Sequence, residues 1–146
     1  YVKESSAVFD VGCGSGILSI GALKLGAEHA LAVDIDSASV KSTRENAAFN
    51  GVDNAIEVGL GSVSEIREGR FSVKESPLVL ANILAPVIIR LFDAGLADLL
   101  SPGGVMILSG ILETQAADVR ASAQAHGLTY IETRQINDWI AMVLKK

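Results

Sequence analysis

The chain has 146 residues, 49% of them hydrophobic and 20% charged, which is enough for one globular domain with a substantial core. A net charge of −5 argues against a domain that grips nucleic acid through a broad basic face. The single cysteine excludes an internal disulfide. Since the sequence shows neither a signal peptide nor a long uncharged apolar run, we expect a cytoplasmic protein without a membrane span.

Apolar patterning predicts strands that alternate with helices along the chain. Predicted strands cover 8–11, 30–33, 55–58, 78–81 and 105–108; predicted helices cover 17–25, 37–49, 84–99 and 113–125, with a short helix and loop in 61–77 and a turn in 101–104. Strands 128–136 and 139–144 form a final hairpin. This alternation predicts a doubly wound, Rossmann-like α/β fold: a seven-stranded sheet, parallel except for one antiparallel strand in the C-terminal hairpin.

The first strand runs directly into a glycine turn and a helix, in the order Val-Phe-Asp-Val-Gly-Cys-Gly-Ser-Gly over residues 8–16. Glycines allow a tight turn and the close approach of a ligand, and the helix behind them begins with free N–H groups. Asp34 ends the next strand, at the place where a ribose diol would bind. We therefore expect an adenosine-containing cofactor.

The glycine spacing discriminates among such cofactors. A dinucleotide loop requires a third glycine where this chain has Ile17, and no P-loop lysine follows Gly16. A cofactor without phosphates does not need that third glycine. The pattern therefore favours S-adenosylmethionine, which needs groups for an ammonium, a carboxylate, a ribose and an adenine.

The candidate cofactor residues all lie at or just beyond predicted strand ends. We expect Asp34 to accept both ribose hydroxyls, Ile35 to pack on the adenine, and Asp10 to stabilise the loop and attract the cofactor ammonium directly or through water. We expect the cysteine to be a small loop residue and no nucleophile, since no histidine neighbours it in sequence. The remaining candidates are the loop residues Gly12, Cys13, Gly14 and Gly16 near the methionine part, Gly61 and Ser62 at the adenine edge, and Asn82 near the sulfonium methyl.

Several longer segments point to a narrower class of protein. They are 10–18, 22–27, 33–36, 45–52, Ala-Asn-Ile-Leu-Ala at 81–85, Leu-Ser-Gly-Ile-Leu at 108–112 and Asp-Trp…Leu-Lys-Lys at 138–146. Through them the chain resembles class I S-adenosylmethionine-dependent methyltransferases and, over nearly its whole length, the ribosomal protein L11 methyltransferase family. The resemblance implies S-adenosylmethionine as cofactor, ribosomal protein L11 as substrate, and lysine ε-amines and an N-terminal α-amine as methyl acceptors.

The resemblance also implies that Asn82 lines the cofactor and substrate site. Family members have an N-terminal substrate-recognition domain and a threonine-rich segment before the first strand. Neither is present here, so we expect residues 1–146 to be the methyltransferase domain of a longer protein.

A lysine amine has a pKa of about 10.4, which desolvation lowers, and Asn82 can then orient the neutral amine. No histidine or carboxylate is obviously placed as a base, so we expect catalysis mainly by proximity and orientation.

Three other functions remain open at this stage. RNA or DNA base N-methyltransferases usually carry Asn-Pro-Pro-Tyr after the fourth strand to grip a flipped base, whereas this chain has Asn-Ile-Leu-Ala and an acidic composition. A small-molecule methyltransferase of the same fold and a non-catalytic cofactor-binding module are the other two. We expect no metal site, since His29 and His126 follow predicted helix ends, and we expect Trp139 to be a packing residue.

Overall fold

A computed structural model describes residues 1–4 and 6–146 of the chain. Strands alternate with helices along the chain as the sequence predicts. In chain order the elements are β1 (Ala7–Val11), α1 (Ile17–Lys24), β2 (His29–Asp34), α2 (Ser37–Phe49), β3 (Ile56–Leu60), α3 (Val63–Arg67), β4 (Ser76–Asn82), α4 (Ala85–Asp93), β5 (Leu100–Leu112), α5 (Ala116–Ala125), β6 (Thr129–Ile136) and β7 (Trp139–Lys145).

The seven strands form one sheet in the order β3-β2-β1-β4-β5-β7-β6. The pairs β3-β2, β2-β1, β1-β4 and β4-β5 are parallel, whereas β7 is antiparallel to both β5 and β6. The predicted mostly parallel sheet with one antiparallel strand in the C-terminal hairpin is confirmed. Because the strand order reverses between β1 and β4, a crevice opens at the carboxyl ends of these strands.

Helices cover both faces of the sheet, so alternate residues of a central strand enter different cores. In β1, Phe9 packs in the larger core with Ile88 and Phe92 of α4. Its neighbour Val8 packs on the opposite face with Leu23 of α1. Double-sided burial explains the nearly continuous apolar sequence of the central strands.

The predicted helix over 84–99 is wrong in its second half. Helix α4 ends at Asp93, Gly95 has φ of 99°, and Leu96–Leu99 form a separate 3-10 turn. Both Leu96 and Leu99 remain fully buried, so the apolar spacing continues through the break. Spacing alone therefore did not reveal where the helix stops.

The predicted turn at 101–104 is also wrong, because β5 already begins at Leu100. Leu100 pairs with Ser76 of β4, and the register shifts before the pairing resumes at Leu78. The turn-forming residues are thus absorbed into an irregular strand start, where cross-strand pairing overrides local turn preference. Within the described ranges, no helix has the length and hydropathy that a membrane crossing requires.

Candidate functional site

Two cavities lie side by side at the carboxyl edge of the sheet. The first, of about 500 Å³, is formed by the segments that follow β1, β2, β3 and β4. The second, of about 610 Å³, lies between the end of β4 and the β5–β7–β6 part of the sheet. Ile83 and Leu84 line both cavities, so the segment directly after β4 is their common wall. We call them the β2 cavity and the β7 cavity.

The glycine turn is tied to the end of β2 by its backbone. The N–H groups of Gly12 and Cys13 both donate to the carbonyl oxygen of Val33, at 2.9 and 3.0 Å. Gly12 has φ of 80°, and a Cβ at this position would lie 2.5 Å from Cγ2 of Ile83. A side chain therefore fits neither the backbone angle nor the space, and the missing Cβ lets the turn approach the segment after β4.

Asp34 faces the β2 cavity from the last position of β2. Its Oδ2 accepts the N–H of Gly14 at 2.9 Å, and its Oδ1 accepts the N–H of Asp36 at 3.0 Å. These two bonds fix the carboxylate between the glycine turn and the start of α2. Each oxygen keeps further acceptor capacity, which is the chemistry needed to bind a vicinal diol.

Asp10 lies beneath the glycine turn and not on either cavity wall. It is 1% exposed, and its Oδ2 accepts from both the N–H and the hydroxyl of Ser19, at 3.1 and 2.5 Å. Burial raises the pKa of Asp10, although the bonds from Ser19 oppose this. Its Oδ1 is buried without a hydrogen-bond partner among the described residues. Such an acceptor suits a cation or a bridging water at the base of the turn.

The side chain of Cys13 points away from the cavities. It is buried, and its sulfur lies 3.3 Å from Oγ1 of Thr43 in α2. Burial raises the pKa of the thiol to about 11, so it is not a nucleophile at neutral pH. The Thr43 hydroxyl donates to the carbonyl oxygen of Gly14 at 3.0 Å, and the N–H of Gly16 donates to that of Cys13 at 2.7 Å. Among the residues that the structure describes, these three turn residues line neither cavity, whereas Gly12 borders the β2 cavity.

Residues that follow β2, β3 and β4 complete the wall of the β2 cavity. Ile35 is 80% exposed, and the N–H of Gly61 donates to the carbonyl oxygen of Asp34 at 2.9 Å. Ser62 begins α3, with its N–H donating to Oε2 of Glu65 at 2.8 Å. Sequence reasoning missed the α4 wall of this cavity, which consists of Val87, Arg90 and Leu91. Helical spacing from Leu84 was the signal that could have found them.

Asn82 ends β4, as predicted, and lines the β7 cavity. Its side chain is exposed, and its amide makes no side-chain hydrogen bond within residues 1–4 and 6–146. It is thus available to a ligand. Trp139, which we expected to be a packing residue, is 51% exposed and lines the same cavity. Sequence reasoning also missed the other cavity-lining residues of β5 and β6: Ser109, Gly110, Arg134 and Ile136.

The β2 cavity fits the adenosine cofactor that the sequence predicts. It joins a fixed carboxylate to apolar walls, and the buried Oδ1 of Asp10 lies beneath the adjoining turn. In the described part of the chain, no three His, Cys, Asp or Glu side chains are grouped as metal ligands.

Comparisons with known proteins identify relatives of this chain. The model of the family described as "Ribosomal protein L11 methyltransferase (PrmA)" matches residues 1–146. A ribosomal protein L11 methyltransferase of Brevibacillus brevis is 43% identical over 146 residues, which are 100% of this chain and 45% of that protein. The chain thus spans less than half the length of this curated relative.

Solved structures give the same family and the same fold. The crystal structure of a ribosomal protein L11 methylase from Lactobacillus delbrueckii subsp. bulgaricus superposes with a TM-score of 0.86 and 33% identity, covering 98% of this chain and 70% of that one. An RNA methyltransferase from Salinibacter ruber, in complex with S-adenosyl-L-homocysteine, superposes with a TM-score of 0.72 and 21% identity, covering 99% and 82%. At that identity the second likeness shows the fold alone.

Proposed function

This chain belongs to the ribosomal protein L11 methyltransferase family, and we propose that it is the catalytic domain that methylates amines of ribosomal protein L11. Membership in this family makes S-adenosylmethionine the methyl donor. The acceptors are lysine ε-amines and the N-terminal α-amine, and the reaction takes place in the cytoplasm. The observation that supports this function most directly is the pair of adjoining cavities, with Asp34 in one and Asn82 in the other.

The β2 cavity holds the cofactor. Asp34 accepts the ribose hydroxyls, Ile35 covers one face of the adenine, and Gly61 with Ser62 borders the adenine edge. The glycine turn lies against the methionine part, to which Gly12, Cys13, Gly14 and Gly16 present backbone atoms. Asp10 acts from beneath the turn, through the start of α1 and through its buried Oδ1. Asn82 completes the site on the side of the β7 cavity.

The β7 cavity receives the acceptor amine. When bound, S-adenosylmethionine would supply an electrophilic methyl group on a positively charged sulfur, with a neutral thioether as the leaving group and the acceptor amine as the nucleophile. A lysine amine must first lose a proton, since its pKa is about 10.4 in water. Ile83, Leu84 and Trp139 surround the entering amine with apolar atoms, and desolvation lowers its pKa.

Asn82 orients the neutral amine. Its amide oxygen accepts one N–H of the amine and so directs the nitrogen lone pair toward the common wall of the two cavities. Among the residues that the structure describes, neither cavity wall presents a histidine, and Asp34 supplies the only carboxylate. The proton therefore passes to solvent, and the rate enhancement comes mainly from proximity and orientation, a contribution that can reach about 7–11 kcal/mol.

Binding of S-adenosylhomocysteine to this chain, measured by titration calorimetry, tests the cofactor site. Asp34→Asn keeps the shape of the side chain but removes its charge, and hydrogen bonds to a charged group contribute about 1.5–3 kcal/mol. We expect its affinity to fall roughly 10-fold or more. Asp53→Asn makes the same chemical change at an exposed position outside both cavities and should bind like wild type.

Transfer to the acceptor is tested separately, with S-adenosylmethionine, purified ribosomal protein L11 and mass spectrometry of the modified residues. Mass increases on lysine ε-amines and the α-amine are expected, and Asn82→Ala should abolish most of the transfer. Methylation of RNA in place of L11 would instead support a base N-methyltransferase. Saturable cofactor binding without transfer to any acceptor would support the cofactor site alone and leave the acceptor unsupported.

A further inference from the structure

An irregularity in β5 lies directly beside Asn82. In the antiparallel pairing of β5 with β7, Leu108 pairs with Met142 and Ile111 with Ile140. Two residues of β5, Ser109 and Gly110, therefore lie opposite a single residue of β7. This arrangement is a β-bulge, and Gly110 occupies it with φ of 77°, in the left-handed region that favours glycine.

The bulge packs its glycine against the end of β4. A Cβ at Gly110 would lie 2.8 Å from the carbonyl oxygen of Ile83 and 2.9 Å from Oδ1 of Asn82. Ser109 holds the same two strands together, because its carbonyl oxygen accepts the N–H of Ile83 at 3.2 Å. The side-chain oxygen of Asn82 thus occupies space that any other residue at position 110 would claim. Both bulge residues also line the β7 cavity.

We propose that Gly110 is a positioning residue for Asn82: the bulge leaves a space without a Cβ that sets where the Asn82 amide lies and keeps it open to the acceptor amine. This inference rests on the proposed function for the role of Asn82 and adds the element that places it. Among the described residues, Gly110 belongs to the lining of the β7 cavity and not to that of the β2 cavity, so its direct effect is on the acceptor side. A methyl group there would press on the Asn82 oxygen and on the carbonyl group of Ile83.

The chain offers a matched control for Gly110→Ala. Gly103 lies in the same strand with φ of 75°, and a Cβ there would meet no atom within 4 Å. Gly103→Ala therefore carries the same backbone strain without the contact to Asn82. The comparison isolates the effect of the added methyl group on the site.

The first test compares the two variants by kcat for L11 and by affinity for S-adenosylhomocysteine. We expect Gly110→Ala to lower kcat at least 10-fold and to change KM and cofactor affinity less than threefold, whereas Gly103→Ala resembles wild type. In an Asn82→Ala background, Gly110→Ala should cost clearly less than in wild type, since the contact with the Asn82 oxygen is absent and only that with the Ile83 carbonyl group remains. An equal loss of kcat in both glycine variants, or an undiminished loss in the Asn82→Ala background, overturns the proposal.

A second measurement needs neither activity nor a folded Gly110 variant. Three-bond NMR couplings of the Asn82 side chain report its χ1 angle in wild type, where we expect one rotamer, and in the Gly103→Ala control, where we expect the same. Couplings averaged over several rotamers would show that the bulge does not hold the amide and would overturn the inference. If wild type transfers no methyl group while the couplings show one rotamer, the proposed function fails and the positioning role of the bulge stands.

Discussion

Two carboxylates near the glycine turn have opposite surroundings and therefore different tasks. Asp34 faces the β2 cavity with acceptor capacity to spare, whereas Asp10 is buried and bonded to Ser19 at the start of α1. Burial without a cationic partner makes the charged form of Asp10 costly. The residue therefore holds Ser19 at the start of α1 at the expense of stability above the pH where it ionises.

The pH dependence of stability should reveal this cost. The folded state holds the proton of Asp10 more tightly than the unfolded state, so ionisation above the ordinary pKa of 3.8 favours unfolding. Relative to Asp10→Asn, the wild-type free energy of unfolding should fall as the pH rises from that value through the raised pKa. Urea unfolding of both proteins at a series of pH values measures the difference. A difference that stays constant with pH would contradict the raised pKa.

The thiol of Cys13 should be unreactive in the folded protein. Its pKa of about 11 leaves little thiolate at pH 8, and burial restricts access. We expect iodoacetamide to label it roughly 100-fold more slowly in the native state than in urea. Cys13→Ala should bind S-adenosylhomocysteine within twofold of wild type, because the thiol is buried against Thr43 and lines neither cavity. Rapid native labelling, followed by mass spectrometry, would contradict both the pKa and the burial.

At the scale of elements, helix α2 does more than cover the sheet. Its inner side reaches the glycine turn, where Thr43 donates to the carbonyl oxygen of Gly14 and Asn46 to that of Ser15, at 3.0 and 2.8 Å. The start of the same helix is fixed by Asp36, whose carboxylate accepts the N–H groups of Ala38 and Ser39. Helix α2 is therefore fixed at its start by the cap and bonded along its inner side to the glycine turn.

Loss of this cap should lower stability without removing the ligand site. Asp36→Ala deletes both acceptors, and we expect the thermal midpoint to fall by roughly 2–4 °C. Asp36→Asn keeps an acceptor at the cap and should remain close to wild type. Calorimetric scans measure the midpoints. Affinity for S-adenosylhomocysteine should be retained in both variants, and a loss as large as that of Asp34→Asn would show that Asp36 binds the ribose itself.

Over the whole molecule, stability should decrease from the centre of the sheet to its edges. β1 and β4 are nearly completely buried between the helix layers, whereas β6 is an edge strand with mostly exposed residues. Elements with few buried contacts open locally at lower free energy than the core. The sheet thus combines a rigid centre beneath the β2 cavity with a looser edge beside the β7 cavity.

Hydrogen exchange followed by mass spectrometry can test this gradient. Amides of β1 and β4 should exchange only through global unfolding, with a free energy that changes with urea. Amides of β6 should exchange through local opening that is almost independent of urea. Equal protection of β6 and β4 would mean that the C-terminal hairpin unfolds together with the core. Helix α5 packs against β6 of the hairpin, and the exchange of its amides serves as a comparison within the same protein.

The sequence by itself determined the fold class, the glycine turn and the positions of Asp34 and Asn82 at the ends of their strands. Strand and helix periodicities are local, and the carboxyl ends of parallel strands meet at one edge of a sheet, so residues at predicted strand ends could be placed along that edge. Only the tertiary structure decided where α4 stops, since buried leucines continue past the break at Gly95. It also decided the wall of the β7 cavity. Antiparallel pairing and a bulge bring Trp139 and Gly110 into the same cavity lining as Asn82. Local sequence patterns encode a period but not a partner strand.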